Sequence, residues 1–446
     1  MSLPSFVTAQ FVISALTIVV AIHAILIGCA YLIYLERKIS AYIQDRIGPN
    51  RVGFDFGLPF MPKFHFWGLG QSLADGVKFL LKEDYMPKGA DPFLFTLAPV
   101  AILVPALIGF AIVPWGGIWI CPDITVPILG WVIPGGPVHI AGAAVNIGLV
   151  YLLAVAAVGI YGVVLGGWAS NNKYSFLGAL RASSQMLSYE IPMGLSLLVV
   201  LLMTGSLLPM KIIEHQVAHG WLIVSQPLAA IIFFLCVLAE CNRAPFDNAE
   251  CEQELVGGYH TEYSSMRFAL FFLAEYAHMV TNSAMFAVLF LGGFHLPFIG
   301  ALSPHETGLF AVVAKIAVLT LKIILLISFM MLIRWSLPRL RFDQVMQSAW
   351  QGVIPLSMIL LVMNAVLVQQ RATSLPSLLV ANLALAALVL LIQRLLPRPD
   401  MNRKVRLPGS RFHPPLHEDV RTRPTLALAL EDRPVEGSSP MAGARF

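Results

Sequence analysis

Charge is what this sequence has least of. Of its 446 residues only 12% are charged, against 57% hydrophobic, where a soluble domain carries roughly 25% charged residues. That excludes an ordinary water-soluble globule and leaves a polytopic membrane protein. Cysteine is also scarce. The five thiols, Cys29, Cys121, Cys236, Cys241 and Cys251, include no C-x-x-C pair, so neither a thiolate zinc site nor an iron–sulfur cluster is expected. No Walker-type lysine follows Gly48-Pro49 and Gly53, which read as a turn. His215 and His219 stand four apart with no acid motif nearby, and read as polar loop residues rather than metal ligands. The opening MSLPSFVTAQ has neither a basic region nor a small-residue cleavage site, so the first apolar run is expected to be a retained span. No metal and no bound cofactor are expected in this chain, and a partner would have to supply electrons for any redox role.

Long apolar runs are what the sequence has instead. A helix needs about 20 apolar residues to cross the hydrocarbon core, and nine stretches qualify: 9–34, 93–113, 140–166, 186–208, 222–241, 266–292, 309–334, 351–370 and 375–396. Lipid offers no partner to open backbone groups, so each stretch is expected to be helical. The expected fold is an all-α polytopic membrane protein of about nine transmembrane helices, forming one domain over 1–396. The residues 397–446 are rich in Pro, Arg, Ser and Gly and read as an extended basic tail.

Basic residues set the expected orientation. Eight Lys or Arg lie between Glu36 and Asp91 and ten after Leu391, while 114–139 and 293–308 have none. By the positive-inside rule the N-terminus is outside, with the loop 240–265 and the tail in the cytoplasm. Lys315 and Lys322, inside the seventh stretch, fit neither side.

Between the first two stretches, Phe66, Leu69, Leu73, Val77 and Leu80 recur at intervals of three and four, and Gln71, Asp75, Lys78 and Lys82 do so on another face. An amphipathic helix over about 64–83 follows, lying on the membrane or walling a passage out of it. Seven carboxylates crowd into the elbow from 240 to 275: Glu240, Asp247, Glu250, Glu252, Glu254, Glu262 and Glu275. Glu190 lies inside the fourth stretch, two residues before Pro192. Ionisable groups in or beside a span mark an ion, proton or substrate path by default. Such a cluster titrates as a unit and can store or relay protons.

These residues resemble a known family. LERK with IGPNRVG, QSLADGVKFLLKED, LRASSQMLSYEI, AECNRAPFD leading through LVGGYHTEYSSMRFALFFLAEY, and LPRLRFDQ are similar to the H-type membrane-arm subunit of proton-pumping NADH:quinone oxidoreductase, respiratory complex I, whose mitochondrial counterpart is NADH dehydrogenase subunit 1. The resemblance covers about residues 10–370. It implies a quinone-site subunit of the bacterial inner membrane, assembled with other complex I subunits, in contact with quinone and lipid and not with nucleic acid. It implies that flavin and iron–sulfur clusters belong to partners. Glu36, Arg37, Asp75, Lys78, Arg334, Arg339 and Arg341 are then quinone-tunnel residues. Glu190, Glu240, Glu250, Glu252, Glu254, Glu262 and Glu275 are then proton-coupling residues, with no catalytic residue in the strict sense. Cys241 stands where the family has Thr, Asn248-Ala249 where it has Leu-Pro, and Gln351 where a lysine is frequent. A membrane anchor of a related hydrogenase, or a stand-alone ion transporter, would share parts of the acidic pattern but not the whole elbow.

Overall fold

The computed structural model describes residues 8–53, 66–126, 131–249, 252–297, 299 and 302–395. Two compact units are distinguished, Met1–Val389 and Leu390–Phe446. The expected tail 397–446 lies outside the described residues, as does Glu250.

The helices in chain order are α1 (Ala9–Ile43), α2 (Gln71–Leu81), α3 (Pro92–Ile108), α4 (Gly148–Ala169), α5 (Lys173–Thr204), α6 (Pro209–His219), α7 (Leu222–Ser225), α8 (Pro227–Glu240), α9 (Glu252–Leu255), α10 (Ser265–Phe290), α11 (Leu309–Ser336), α12 (Phe342–Gln347), α13 (Ile354–Gln369) and α14 (Leu375–Leu395). Local signals set several ends. Asp91 caps α3, accepting from the backbone N–H of Phe93 at 3.0 Å and of Leu94 at 3.1 Å, with Pro92 at the first helical position. Asn172 caps α5 in the same way, and Gly205, at φ 64°, ends it. Pro192 does not interrupt α5. Between α3 and α4 the chain makes two short antiparallel pairs, β1 (Ile118–Cys121) with β4 (Gly136–His139) and β2 (Ile124–Val126) with β3 (Trp131–Ile133). These strands are not among the elements expected from the sequence.

Among the described residues seven helical segments are long and apolar enough to cross a membrane: Ala9–Ile43, Pro92–Ile112, Gly148–Ala169, Lys173–Thr204, Leu309–Ser336, Phe342–Gln369 and Leu375–Ile392. The chain is an all-α, multi-pass membrane protein. Two of the nine expected stretches depart from the simple span. Stretch 222–241 breaks at Gln226-Pro227, because proline has no N–H to continue α7. The surviving α8 is about 21 Å long at 1.5 Å per residue, short of the roughly 30 Å hydrocarbon core. Stretch 266–292 is α10, which carries Glu275, His278, Thr281 and Asn282 and is buried at every residue from Ala274 to Phe290. Its polar groups face protein rather than lipid.

Helix α10 is therefore the centre of the bundle, packed by α1, α3, α6, α8 and α11. Helix α5 packs α4 on one side and α8 and α13 on the other. Between helices in lipid, close packing supplies the attraction that burial supplies in water, and small residues permit it. Gly162 of α4 is such a place, where a Cβ would lie 2.7 Å from the backbone N of Ile102. Buried amides tie in the last two helices. The Gln226 amide donates to Asn364 at 2.5 Å, and Asn382 donates to Gln226 at 2.9 Å.

Lys315 and Lys322 have a local explanation. The Lys322 ammonium donates to the carbonyls of Leu291, Gly293 and His295 at 2.6, 2.7 and 2.8 Å. These carbonyls lie in the turn just past α10, outside its hydrogen-bond ladder. Lys315 donates to the Glu306 carbonyl at 2.6 Å. His215 and His219, expected in a loop, sit on α6 with rings stacked at 4.4 Å. No metal-binding cluster of His, Cys, Asp or Glu occurs among the described residues.

Candidate functional site at the acidic elbow

The elbow lies along the first turns of α5, running antiparallel to it. Asn172 donates to Glu262 at 2.5 Å. The Ser175 hydroxyl donates to the Tyr259 carbonyl at 2.7 Å. A Cβ on Gly178 would lie 2.7 Å from the Gly258 backbone. Arg181 pairs with Glu254. Gln185, fully buried, donates to the carbonyls of Ala239 at 2.8 Å and Phe246 at 2.7 Å. The α5 positions recur at steps of three and four, so one helix face holds the whole elbow. Gln185 also satisfies a carbonyl left open at the end of α8.

That anchoring delivers Arg243 into the bundle. Its Nη1 donates to both Glu36 oxygens, at 3.1 and 3.2 Å. Glu36 is buried near the end of α1 and also pairs with Arg334 at the end of α11. Tyr276 of α10 donates to Glu36 at 2.5 Å, and its ring lies 4.6 Å from the Arg243 guanidinium carbon. Three separate segments thus converge on a carboxylate carried by a fourth. Burial alone would disfavour the Arg243 charge, but Tyr276, Glu36 and Glu275 around it hold its pKa well above the ordinary arginine value. Among the described residues, Nε and Nη2 of Arg243 are buried and meet no hydrogen-bond partner.

Beside this cluster, Arg37 forms a 2.7 Å ion pair with Asp75, and Gln71 donates to Asp75 at 2.9 Å. The Ser72 hydroxyl donates to the Ala30 carbonyl at 2.8 Å, fastening α2 to α1. Leu73, Val77 and Leu80 remain exposed on the other face of α2, and Lys78, on the face of Asp75, is exposed as well.

The other expected residues distribute unevenly. Glu275 is buried and accepts from the Tyr259 hydroxyl at 3.1 Å. Glu240 has one buried oxygen, Oε2, without a hydrogen-bond partner among the described residues; the Asn282 side chain hydrogen-bonds its carboxylate and the Glu190 charge acts on it. Asn282 also donates to the Cys241 sulfur at 3.7 Å. Glu254 and Glu262 fasten the elbow to α5, apart from these acids. Glu252 begins α9. Arg339 is half-buried, and the backbone of the segment bonds to the elbow through Leu340 N–H and the Pro245 carbonyl at 3.1 Å. Arg341 is exposed at the start of α12 and is not among the ion-pair partners described for Glu36. Gln185, Tyr259, Tyr276 and Asn282 are not among the residues expected from the sequence. The polar period along 172–185 was the available signal for the first.

Known proteins resemble the chain over most of its length. The family profile described as NADH dehydrogenase matches residues 16–365. An H-type NADH-quinone oxidoreductase subunit of Cytophaga hutchinsonii is 43% identical over 354 residues, covering 79% of this chain and 96% of that protein. The second of the H-type subunits of NADH-quinone oxidoreductase in Geobacter metallireducens is 42% identical over 369 residues, 81% of this chain and 96% of its own. The H-type NADH-quinone oxidoreductase subunit of Flavobacterium johnsoniae is 42% identical over 352 residues, 79% and 94% respectively.

Proposed function

The chain belongs to the family of H-type membrane subunits of NADH-quinone oxidoreductase, and from that premise we propose that it forms much of the enzyme's quinone passage and couples quinone reduction to proton translocation through buried carboxylates. It is a membrane subunit of an oxidoreductase complex, with the other subunits as partners. NADH oxidation, flavin and the iron–sulfur clusters are assigned to those partners. Quinone is the substrate met at this chain.

The observation that carries the reading is Arg243. Its Nη1 engages Glu36, while Nε and Nη2 are buried donors without a partner among the described residues. A buried charged donor left unmatched is costly, and a quinone oxygen that gains negative charge during reduction is a suitable acceptor. Reduction to quinol takes two electrons, from a partner's iron–sulfur cluster, and two protons. The exposed apolar face of α2 beside the Arg37–Asp75 pair suits the entry of a lipid-soluble molecule. Protons drawn towards the site alter the balance at Glu36, Tyr276 and Glu275, and Glu240 and Glu190 continue that line across α10, α8 and α5.

Membranes from a strain lacking this gene test the proposal with two electron acceptors. The expected result is loss of inhibitor-sensitive quinone reduction, with NADH oxidation by a soluble acceptor retained in part. Unchanged quinone reduction would overturn it.

A further inference from the structure

Helix α14 lies past the family profile, whose match ends at residue 365. Between Leu378 and Ile392 its only polar residue is Asn382. Leu378, Asn382 and Leu385 are buried at steps of four and three, and Val389 packs on the core one turn further along. Off that stripe, Val380 and Leu383 are 65 and 57% exposed. A polar side chain in a span is costly in lipid and finds its partners on a neighbouring helix. A single buried Asn in an apolar stripe also fixes helix register.

The partner of Asn382 is the break between α7 and α8. Its amide nitrogen donates to Gln226 Oε1 at 2.9 Å and to the Ser225 carbonyl at 3.4 Å. Gln226 donates in turn to Asn364 of α13. All three amides are fully buried. Ser225 and Gln226 stand where Pro227 interrupts the helical ladder, so the three amides lock the point about which α8 would otherwise tilt. Helix α8 runs from that lock to Glu240. There Gln185 holds the Ala239 carbonyl, and Asn282 of α10 hydrogen-bonds the Glu240 carboxylate. Over a helix of that length a tilt of about 5° at the break displaces the far end by about 2 Å. A misplacement of about 1 Å can cost on the order of 10²-fold in rate.

We propose that α14 is a clamp on the α7–α8 break, and that Asn382 is thereby a positioning residue for Glu240, fixing its carboxyl against α10. The inference rests on the reading of Glu240 as a relay acid in a quinone-reducing complex.

A double-mutant cycle in the intact complex in native membranes tests it. Asn382→Leu keeps the helix apolar but removes the donor to the break. It is expected to lower inhibitor-sensitive quinone reduction several-fold, with electron transfer from NADH to a soluble acceptor unchanged. In a Glu240→Gln background the same substitution is expected to add little further loss. Residues at opposite ends of α8 share no partner and ordinarily act additively, so this non-additivity is a readout that a merely structural role does not move. Leu385→Ala, on the same stripe, leaves the three amides intact. It is expected to lower thermal stability and to stay additive with Glu240→Gln. Parental quinone reduction in Asn382→Leu, additivity of Asn382→Leu with Glu240→Gln, or failure of the Asn382→Leu complex to assemble would each overturn the clamp. Parental quinone reduction in Glu240→Gln alone would count against the relay reading itself, whereas a slowed Glu240→Gln with an additive Asn382→Leu removes the clamp alone.

Discussion

Replacing Arg243 with Met tests the centre of the site. The substitution keeps an unbranched side chain but removes both contacts from Nη1 to Glu36, at 3.1 and 3.2 Å. Breaking one side of a buried ion pair costs about 3–5 kcal/mol, because the other charge is left behind. Here Glu36 keeps Tyr276 and Arg334, and the Arg334 side chain is 32% exposed and so partly screened by solvent. The lower end, about 3 kcal/mol, is the reasoned value. Expressed in the reaction barrier, that is on the order of a 150-fold loss in kcat/KM for inhibitor-sensitive quinone reduction. Transfer from NADH to a soluble acceptor should be unaffected. Glu36→Gln should lower quinone reduction by a similar route, since the two residues hold each other. The double variant is then far less impaired than the product of the single losses, with a coupling of about 2 kcal/mol. Additivity within about 0.5 kcal/mol would refute the claim that the pair acts as a unit. So would an equal loss with both acceptors, which would indicate failed assembly rather than a damaged quinone site.

Gln185→Leu removes the donor to two buried carbonyls, Ala239 and Phe246. At about 1–3 kcal/mol for each group left unsatisfied, the elbow should open to protease and quinone turnover should fall; an unchanged digestion pattern would contradict this. Lys322→Met strips a charged donor from the three carbonyls after α10. A drop of about 3 kcal/mol or more in stability is expected, read as an earlier thermal transition of the purified complex, and an unchanged transition would contradict the capping role. For His215, burial and then the neighbouring His219 hold the pKa below the ordinary 6.5. A depressed folded value means that its stability contribution is present above 6.5 and lost as pH falls towards the folded value. Thermal stability should therefore decline on acidification, and less steeply in His215→Gln; parallel profiles would exclude His215 as the cause.

The sequence was legible where one physical pressure dominated. Apolar length marked the stretches that became α1, α3, α4, α5, α11, α13 and α14, although several helices begin or end well beyond the apolar run. Helix α5 starts at Lys173 rather than near 186, because its first turns are polar where they hold the elbow. Helix α10 is less apolar than a lipid-facing span because its neighbours, not lipid, surround it. Lys315 and Lys322 defeated the charge count for a different reason. That rule treats a lysine as a surface anchor, whereas these ammonium groups serve backbone carbonyls. Tyr276 and Gln185 stood in plain apolar or small-residue surroundings, and their partners come from elsewhere in the chain: Glu36 is 240 positions from Tyr276, and Ala239 and Phe246 are 54 and 61 from Gln185. The Glu36–Arg334 contact joins residues 298 positions apart, a separation that no local period records.

The expected proton-coupling residues divide by what their oxygens already do. Glu254 and Glu262 bind Arg181 and Asn172, so their direct task is to hold the elbow against α5. Glu36 is gripped by three side chains from three other segments and sets the charge beside Arg243. A relay needs carboxyl groups that can change partners as a proton passes. Glu240, with an unmatched buried oxygen, and Glu190, whose carboxylate meets no hydrogen-bond or ion-pair partner, have that freedom among the described residues. Glu275 belongs with the Arg243 cluster, since its charge acts on Arg243 and its Oε1 takes the Tyr259 hydroxyl. The proposed path then runs from Glu36 and Tyr276 through Glu275 and Glu240 to Glu190, while the elbow acids keep the helices in register. Tyr259 links the two sets: its carbonyl is fixed by Ser175 of α5 and its hydroxyl by Glu275 of α10. Under the proposed coupling, a shift of the elbow along α5 moves a hydrogen-bond donor relative to the relay, and this is the mechanical route we propose from quinone occupancy to the protonation of Glu275.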